Sequence, residues 1–291
     1  MKYTLVDNCI LLVWVSLMAS SFVVSEQLLP YANPIASTAL RFLLATILMM
    51  PFIGKKSITK LNYKIFIRYS IISLFLVLFF IGLFEALKTT NAIRTSVIYT
   101  LLPLISVLIT YFFLKLVTPK KQVVGFLIGT LGAIWVLVAF TQENFVLAEW
   151  RVGDSIFLVA CCCLALHVIL IKKWATDVPP MLGAFYIMLL GSLILLPFLI
   201  LFGDLNNIAW QQNAFWKTLL YLTVFTTIGT FFLQQYLLKK VGPNRLLAFT
   251  YLIPSIVLIP QGVINNLQLY TVAPGIMLTL LALYLISPKH Q

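Results

Sequence analysis

Charge is what this chain has least of. Only 10% of its 291 residues are Asp, Glu, Lys or Arg, while 62% are hydrophobic. Soluble domains average about 25% charged residues, so a water-soluble fold is excluded. There are eight acidic residues and two histidines, and His290 lies in the C-terminal tail. An intramembrane enzyme acting on lipid-linked substrates needs clustered His, Asp or Glu near one membrane face, which this inventory does not supply. Cysteine is scarce too. No CxxC spacing occurs, and Cys161, Cys162 and Cys163 are consecutive, so on a helix they point in different directions. Adjacent thiols rarely meet disulfide geometry, and no histidine cluster accompanies them. They read as apolar filler, with soft-metal binding the lesser alternative. No P-loop is present, so the chain shows no means of hydrolysing ATP. No cofactor and no metal are expected.

What the chain has is a series of long apolar runs. Ten of them, each near the roughly 20 residues a bilayer requires, fall at 5–24, 34–53, 67–87, 92–114 and 123–140, then at 153–171, 181–202, 216–238, 246–264 and 272–286. They lack the alternation of barrel strands. Lipid offers backbone amides no partner, so the runs must be helices, and the fold class is an all-α integral membrane protein. The first run has no clean small-x-small cleavage site and reads as a retained helix rather than a signal peptide.

The net charge of +12 does not indicate nucleic acid, because its distribution is one-sided. With the N-terminus in the cytoplasm, fifteen of the twenty basic residues fall in inner loops and tails, among them Lys55, Lys56, Lys60, Lys64, Arg68, Lys172, Lys173, Lys239 and Lys240. The outer side holds Lys88, Arg94, Arg151 and Lys217, together with five acidic residues. This is the positive-inside bias, and it places both termini in the cytoplasm of a multi-pass, bacterial inner-membrane protein. Trp150, Trp174, Trp210 and Trp216 flank the runs at headgroup level. Lys56, Lys60, Lys64 and Arg68 recur every four residues along one helical face, as a topology determinant or a surface for anionic headgroups.

The two halves of the chain repeat each other. At an offset of 151, KTTNAIRTSVIYTLLP falls on KKVGPNRLLAFTYLIP, pairing Lys88 with Lys239, Arg94 with Arg245 and Pro103 with Pro254, with Tyr99 and Tyr251 one step out of register. Upstream, ILMMPF ending at Phe52 resembles LILLPF ending at Phe198. Five spans per half would set the halves upside down relative to each other, as two inverted repeats over residues 1–140 and 153–288. Pro103 and Pro254 interrupt matched spans, and paired interruptions point to a binding site in such proteins. Gly125, Gly129 and Gly132 form a GxxxG-like run in the fifth span, opposite a tenth span holding Gly275. The run allows close helix contact within the chain or, alternatively, between copies.

Several stretches resemble the EamA-type family of the drug/metabolite transporter superfamily. LLVWVSLMASSFVV is similar to its first helix, and PIASTALRFLLATILMMPF, with Arg41-Phe42, to its second. FEALKTTNAIRTSVIYTLLPLISVLIT resembles the third-to-fourth helix region. GDSIFLVACCCLALHVILIKK and VGPNRLLAFTYLIPSIV follow the corresponding patterns of the second half. Val15 replaces a usual glycine, Lys115 or Leu116 and Asn266 stand where relatives carry Gly-Glu, and Leu164 stands where a tryptophan is common. The resemblance implies a ten-helix basket opening alternately to each side and moving metabolites such as amino acids.

Ionisable side chains inside a span cost about 2.5–3.5 kcal/mol on insertion scales and are functional suspects. Arg41 sits seven residues into the second span, about 10 Å from its outer end at a 1.5 Å rise per residue. Glu85, near the outer end of the third span, is expected at similar depth. An Arg41–Glu85 pair could then gate the pathway or bind a zwitterion. The competing arrangement pairs Glu85 with Lys88 at i+3 and lets Arg41 reach headgroups. His167, the one histidine inside a span, could carry a coupling proton or simply be a buried, hydrogen-bonded ring. Gln234 and Gln235 are adjacent, so one of them faces the pathway. Trp14, Tyr99 and Tyr251 offer aromatic walls for an organic substrate or packing between helices. Ser16, Ser20 and Ser21 permit close contact. The reading is a secondary transporter of small organic metabolites, with a larger nucleotide-like cargo as the alternative and a substrate or proton gradient as the driving force. Its partners are that metabolite and the lipid bilayer. Cysteines placed at Thr141 and Lys239 should react with an impermeant reagent from opposite sides of a sealed vesicle; labelling from one side would end the inverted-repeat reading.

Overall fold

The computed structural model describes residues 5–53, 62–115, 117–141, 150–174, 178–241, 243–264 and 269–286. Every described segment of regular structure is helical, as the hydropathy requires. The first half contains α1 (Leu5–Leu28), α2 (Pro34–Met49) closed by a 3-10 turn at Met50–Phe52, and α3 (Tyr63–Leu87). A fourth span follows, broken into α4 (Ala92–Tyr99) and α5 (Leu102–Leu114), then α6 (Lys120–Thr141). The second half contains α7 (Val152–Trp174) and α8 (Pro180–Phe202). Next come α9 (Asn213–Thr223), a π-helical turn at Val224–Gly229, and α10 (Thr230–Val241) in one continuous span. The ninth span is α11 (Pro243–Phe249), a 3-10 turn at Thr250–Leu252 and α12 (Ile253–Ile264), and α13 (Leu269–Ile286) is the tenth. Seven of the described helical segments are long and apolar enough to cross a bilayer. The expected starts at 67 and 216 were late by a few residues, because polar and aromatic residues at a helix start lowered the hydropathy there.

Asparagines set the helix starts. Asn33, Asn62 and Asn91 each hold an extended backbone, and their side-chain oxygens accept from Ala36 N at 2.8 Å, Ile65 N at 2.8 Å and Arg94 N at 2.9 Å. Each satisfies one of the amides that a helix start leaves unpaired. Pro34 follows the first of these caps, where its missing N–H is harmless.

The breaks in the fourth and ninth spans fall at the same place in the repeat. Pro103 lacks the amide that would bond to Tyr99, and Pro254 lacks the one that would bond to Thr250. The chain tightens locally: Thr100 N bonds to Val97 O and Leu101 N to Ile98 O, both at 3.0 Å, and Thr250–Leu252 is a 3-10 turn. The other matched prolines diverge. Pro51 lies in the 3-10 turn that ends α2, whereas Pro197 sits inside α8.

Packing follows a pseudo-twofold rule. α2 lies on α8 and α6 on α13, each pair being counterparts in the repeat. The contact of α3 with α7 is repeated by α10 with α1, and that of α5 with α7 by α12 with α1. Five spans per half reverse the direction of the second half, so a contact near one membrane face recurs between the counterpart elements near the other. One face carries both chain ends and is called the terminal face below; the other is the far face. The glycine run serves the α6–α13 contact. A Cβ at Gly132 would fall 2.8 Å from Gly275 O, and one at Gly275 would fall 2.8 Å from Gly132 O. Gly129 lies under the ring of Tyr251, whose hydroxyl donates to Phe126 O at 2.8 Å. The GxxxG-like stripe is therefore spent within the chain.

Aromatic rings pack against one another within a largely aliphatic interior. Phe22 meets Tyr99 at 5.3 Å and Phe157 at 6.0 Å, and Phe79 meets Phe80 at 5.1 Å, all edge to face. Cys161 is buried in α7, while Cys162 and Cys163 are half-buried, as apolar filler would be. Of the basic row, Lys64 and Arg68 lie on the first turns of α3; Lys56 and Lys60 lie outside the described residues. Gly132→Val forces overpacking worth about 1–3 kcal/mol. It should lower the thermal unfolding midpoint in detergent, whereas Leu131→Val on the exposed face of the same helix should not. Equal midpoints would refute the close α6–α13 contact.

Candidate functional site

A π turn adds a residue to one turn of a helix and loosens its ladder, and such turns occur often at functional sites. Here the turn is rich in threonine, and the hydroxyls restore the bonding. Thr226 and Thr227 both donate to Leu222 O at 2.9 Å, and Thr230 donates to Thr226 O at 2.8 Å. Having donated inward, Thr226 and Thr227 keep lone pairs for another donor. Arg41 of α2 is that donor. Its Nε donates to Thr227 Oγ1 at 2.5 Å, and its Nη2 to Thr226 Oγ1 at 2.9 Å and to Thr226 O at 3.2 Å. The guanidinium carbon lies 4.2 Å from the centre of the Phe80 ring. A desolvated cation over a ring gains about 2 kcal/mol.

Arg41 is 0% exposed, and every acceptor around it is neutral. Its Nη1 is buried and, among the described residues, has no hydrogen-bond partner. The buried indole Nε1 of Trp14, on α1, has none either. Both groups are donors only, since guanidinium and indole N–H have no acceptor to offer. α1 runs beside the same turn: Leu17, one helical turn from Trp14, lies against Gly229 at the end of the π segment. Further along, Tyr221 donates to Ser20 Oγ at 2.9 Å, keeping α1 alongside the span. What is missing around Arg41 and Trp14 is an acceptor, above all a negatively charged one.

Of the two arrangements open to Glu85, the local pair with Lys88 forms and the pair with Arg41 does not. Glu85 is bridged by Lys88 Nζ at 2.8 Å, and both side chains are substantially exposed, at 37% and 48%. The two stand three residues apart at the end of α3, on one helical face. Similar depth suggested the pairing, but depth does not fix direction, and Arg41 faces the eighth span. His167 Nδ1 lies 2.9 Å from Ile72 O. A carbonyl can only accept, so Nδ1 carries the proton and the ring ties α7 to α3. Tyr99 and Tyr251 are packing residues of separate hydrophobic clusters. Gln234 is half-buried on α10, beyond the π turn; the side chain of Gln235 lies outside the described residues. A surface recess of about 500 Å³ between Leu29, Tyr31, Asn33, Lys88 and Asn207 contains none of the seven candidate residues.

Sequence reasoning missed a second set of charges. Asp154 and Arg94, at the first residues of their runs, counted only as charges of the outer side, yet Asp154 is fully buried at the start of α7 and ion-paired to Arg94 of α4. Arg94 Nε donates to Asp154 Oδ1 at 3.2 Å, and Nη2 bonds to Oδ2. Thr90 Oγ1 donates to Oδ1 at 2.9 Å and Arg151 N to Oδ2 at 3.0 Å. Next to it, the Glu26 carboxylate accepts from Ala92 N at 3.1 Å, an anion at a helix N-terminus. On the terminal face, Arg245 Nη2 donates to Asn8 Oδ1 at 2.7 Å, joining α11 to α1. One available signal was the position of Asp154 in the first turn of a helix rather than in a loop.

Residues 8–138 and 151–287 each match the EamA-like transporter family. The chain belongs to that family, and the resemblance read from both halves is borne out. Its relatives include the uncharacterized transporter YyaM of Bacillus subtilis strain 168, 25% identical over 247 residues that cover 82% of this chain and 80% of that one. An uncharacterized transporter of Archaeoglobus fulgidus is 23% identical over 285 residues, 97% of this chain and 96% of its own. A crystal structure of another protein superposes with a TM-score of 0.68 at 19% identity, covering 98% of this chain and 96% of that one, and it supports the fold alone. The chain is thus a multi-pass membrane transporter and not an enzyme. Thr227→Val removes the acceptor of Arg41 Nε and leaves a buried donor unpaired, at a cost of about 1–3 kcal/mol. Its unfolding midpoint in detergent should fall well below that of Glu85→Gln, which breaks only an exposed pair; the reverse order would refute the placement of Arg41.

Proposed function

We propose that this EamA-like transporter is a secondary carrier of a small organic metabolite with a carboxylate group, working by alternating access, and that Arg41 and Trp14 bind the cargo. The observation that carries the reading is the Arg41 guanidinium: fully buried, surrounded by neutral oxygens and a ring, with Nη1 unpaired. A buried cation in hydrocarbon without an anion is costly, and an intramembrane charge marks a substrate pathway by default. A carboxylate would supply the acceptor oxygens that Nη1 and the Trp14 indole lack. Amino acids and related compounds fit this description. A nucleotide-like cargo presents several negative charges, and the single guanidinium at the π turn suits one carboxylate better.

Gln234, further along the same span, extends the proposed lining toward the terminal face. The driving force is a gradient of the substrate or of protons. His167, with Nδ1 committed to Ile72, has only Nε2 to offer a coupling proton. The one-sided distribution of Lys and Arg puts both termini in the cytoplasm. Counterflow in proteoliposomes tests the reading. Preloaded vesicles should accumulate at least one labelled amino acid or related carboxylate, and the matching carboxamide should not compete. Arg41→Gln should raise the half-saturating concentration about tenfold or more, the size of one hydrogen bond to a charged group. Chemical conversion of the label would indicate an enzyme. An unchanged Arg41→Gln variant would remove Arg41 from the site, and no counterflow across amino acids and nucleotide-like compounds would overturn the carrier reading.

A further inference from the structure

Near the far face, α1, α4 and α7 meet in two stacked layers, and each helix contributes to both. In the first layer the Glu26 carboxylate of α1 accepts from Ala92 N of α4 at 3.1 Å. Arg94, also on α4, is ion-paired to Asp154 of α7, which accepts from Thr90 Oγ1 at 2.9 Å and from Arg151 N at 3.0 Å as well. The second layer is aromatic. Phe22 of α1 meets Tyr99 of α4 at 5.3 Å and Phe157 of α7 at 6.0 Å. Phe79 of α3 closes the set, 6.5 Å from Tyr99 and 6.1 Å from Phe157. All four rings are buried. The order is the same on every helix. α1 ends at the far face while α4 and α7 start there, so Glu26, Arg94 and Asp154 are the outer members and Phe22, Tyr99 and Phe157 the inner ones.

The proposed cargo-binding groups adjoin the inner layer. Trp14 stands eight residues before Phe22 on α1, about 12 Å further in at a 1.5 Å rise. Phe79 meets Phe80 at 5.1 Å, and Phe80 is the ring 4.2 Å from the Arg41 guanidinium. Rings at these separations are in van der Waals contact and leave no passage for an organic molecule between them. The outer layer is closed by a buried ion pair whose geometry is good and whose carboxylate is further occupied by a hydroxyl and an amide, which makes loss of either partner costly. α4 is the member built to move. It is eight residues long, and it is parted from α5 where the missing amide of Pro103 interrupts the span. Tilting this one piece withdraws Ala92 N, Arg94 and Tyr99 from both layers together.

We propose that these two layers are the far-face gate of the carrier, shut in this structure, and that α4 opens it by breaking the Asp154 cluster and the aromatic set in one motion. The inference rests on the alternating-access reading above and assigns its far-face barrier to named residues. Asp154 and Phe22 belong to the barrier and not to the cargo site.

The chain supplies its own reporter. Cys161 is fully buried on α7, one turn inward of Phe157. With Cys9, Cys162 and Cys163 replaced by serine, it is the single thiol. A small impermeant methanethiosulfonate reagent is added to sealed membrane vesicles on the side from which Thr141→Cys is labelled, so that it meets the far face. Asp154→Asn should speed labelling of Cys161 about tenfold, the size of one hydrogen bond to a charged group. Phe22→Ala should speed it as well. The double variant should show about the product of the two factors, since the residues do not touch and a single motion breaks both layers. Gly132→Val, which loosens the distant α6–α13 contact, should leave the rate unchanged. If Asp154→Asn is not monodisperse, Arg94→Gln takes its place with the same expected factor. A rate indifferent to the outer layer, a double variant no faster than the faster single, or an equal rise with Gly132→Val would each overturn the gate. Counterflow keeps the two readings apart. A protein that exchanges substrate while its labelling ignores both layers is a carrier gated elsewhere, and one that shows the labelling order but exchanges nothing fails the carrier reading.

Discussion

Inside a bilayer, a polar group must find its partner within the chain, and most of this molecule is a solution to that requirement. Helices satisfy the backbone. Where proline or the π turn disrupts the ladder, 3-10 bonds and threonine hydroxyls close the gaps, as Thr226, Thr227 and Thr230 do for the carbonyls of the eighth span. Asp154 gathers several donors at the far face. Against that background Arg41 stands apart, because its neighbours satisfy only part of a guanidinium and none of its charge. The functional reading follows from this incomplete environment rather than from the number of spans.

The ten spans were legible because hydropathy over about 20 residues reports directly on lipid exposure. The repeat was legible because proline and arginine are rare enough in such runs for a shared order to stand out. The breaks at Thr100 and at Thr250–Leu252 then followed from the missing amides of Pro103 and Pro254. The glycine run was readable for the same reason: small residues in register leave few alternatives to close contact.

Direction was not legible. Arg41 and Glu85 were matched in depth, yet a helix presents its side chains through a full circle, and a small error in its rotation exchanges one neighbour for another. The π turn had no sequence signature either, since paired threonines in an apolar helix also fit ordinary α-helix. Asp154 and Arg94 counted only as outer-side charges because hydropathy places span ends only to within a few residues. A single turn decides whether a carboxylate is hydrated or buried. The relatives that share the fold at 19–25% identity fix the arrangement of spans and leave these side-chain orientations to this chain.

Two of the helix contacts, α2 on α8 and α6 on α13, join an element to its own repeat counterpart. Such contacts are isologous, of the kind that holds a twofold dimer together. The mutual approach of Gly132 and Gly275 is the clearest instance, each backbone filling the space that the other leaves. Either half of the chain thus carries a surface complementary to an inverted image of itself. The peptide between α6 and α7 makes permanent an association whose geometry is that of two antiparallel subunits.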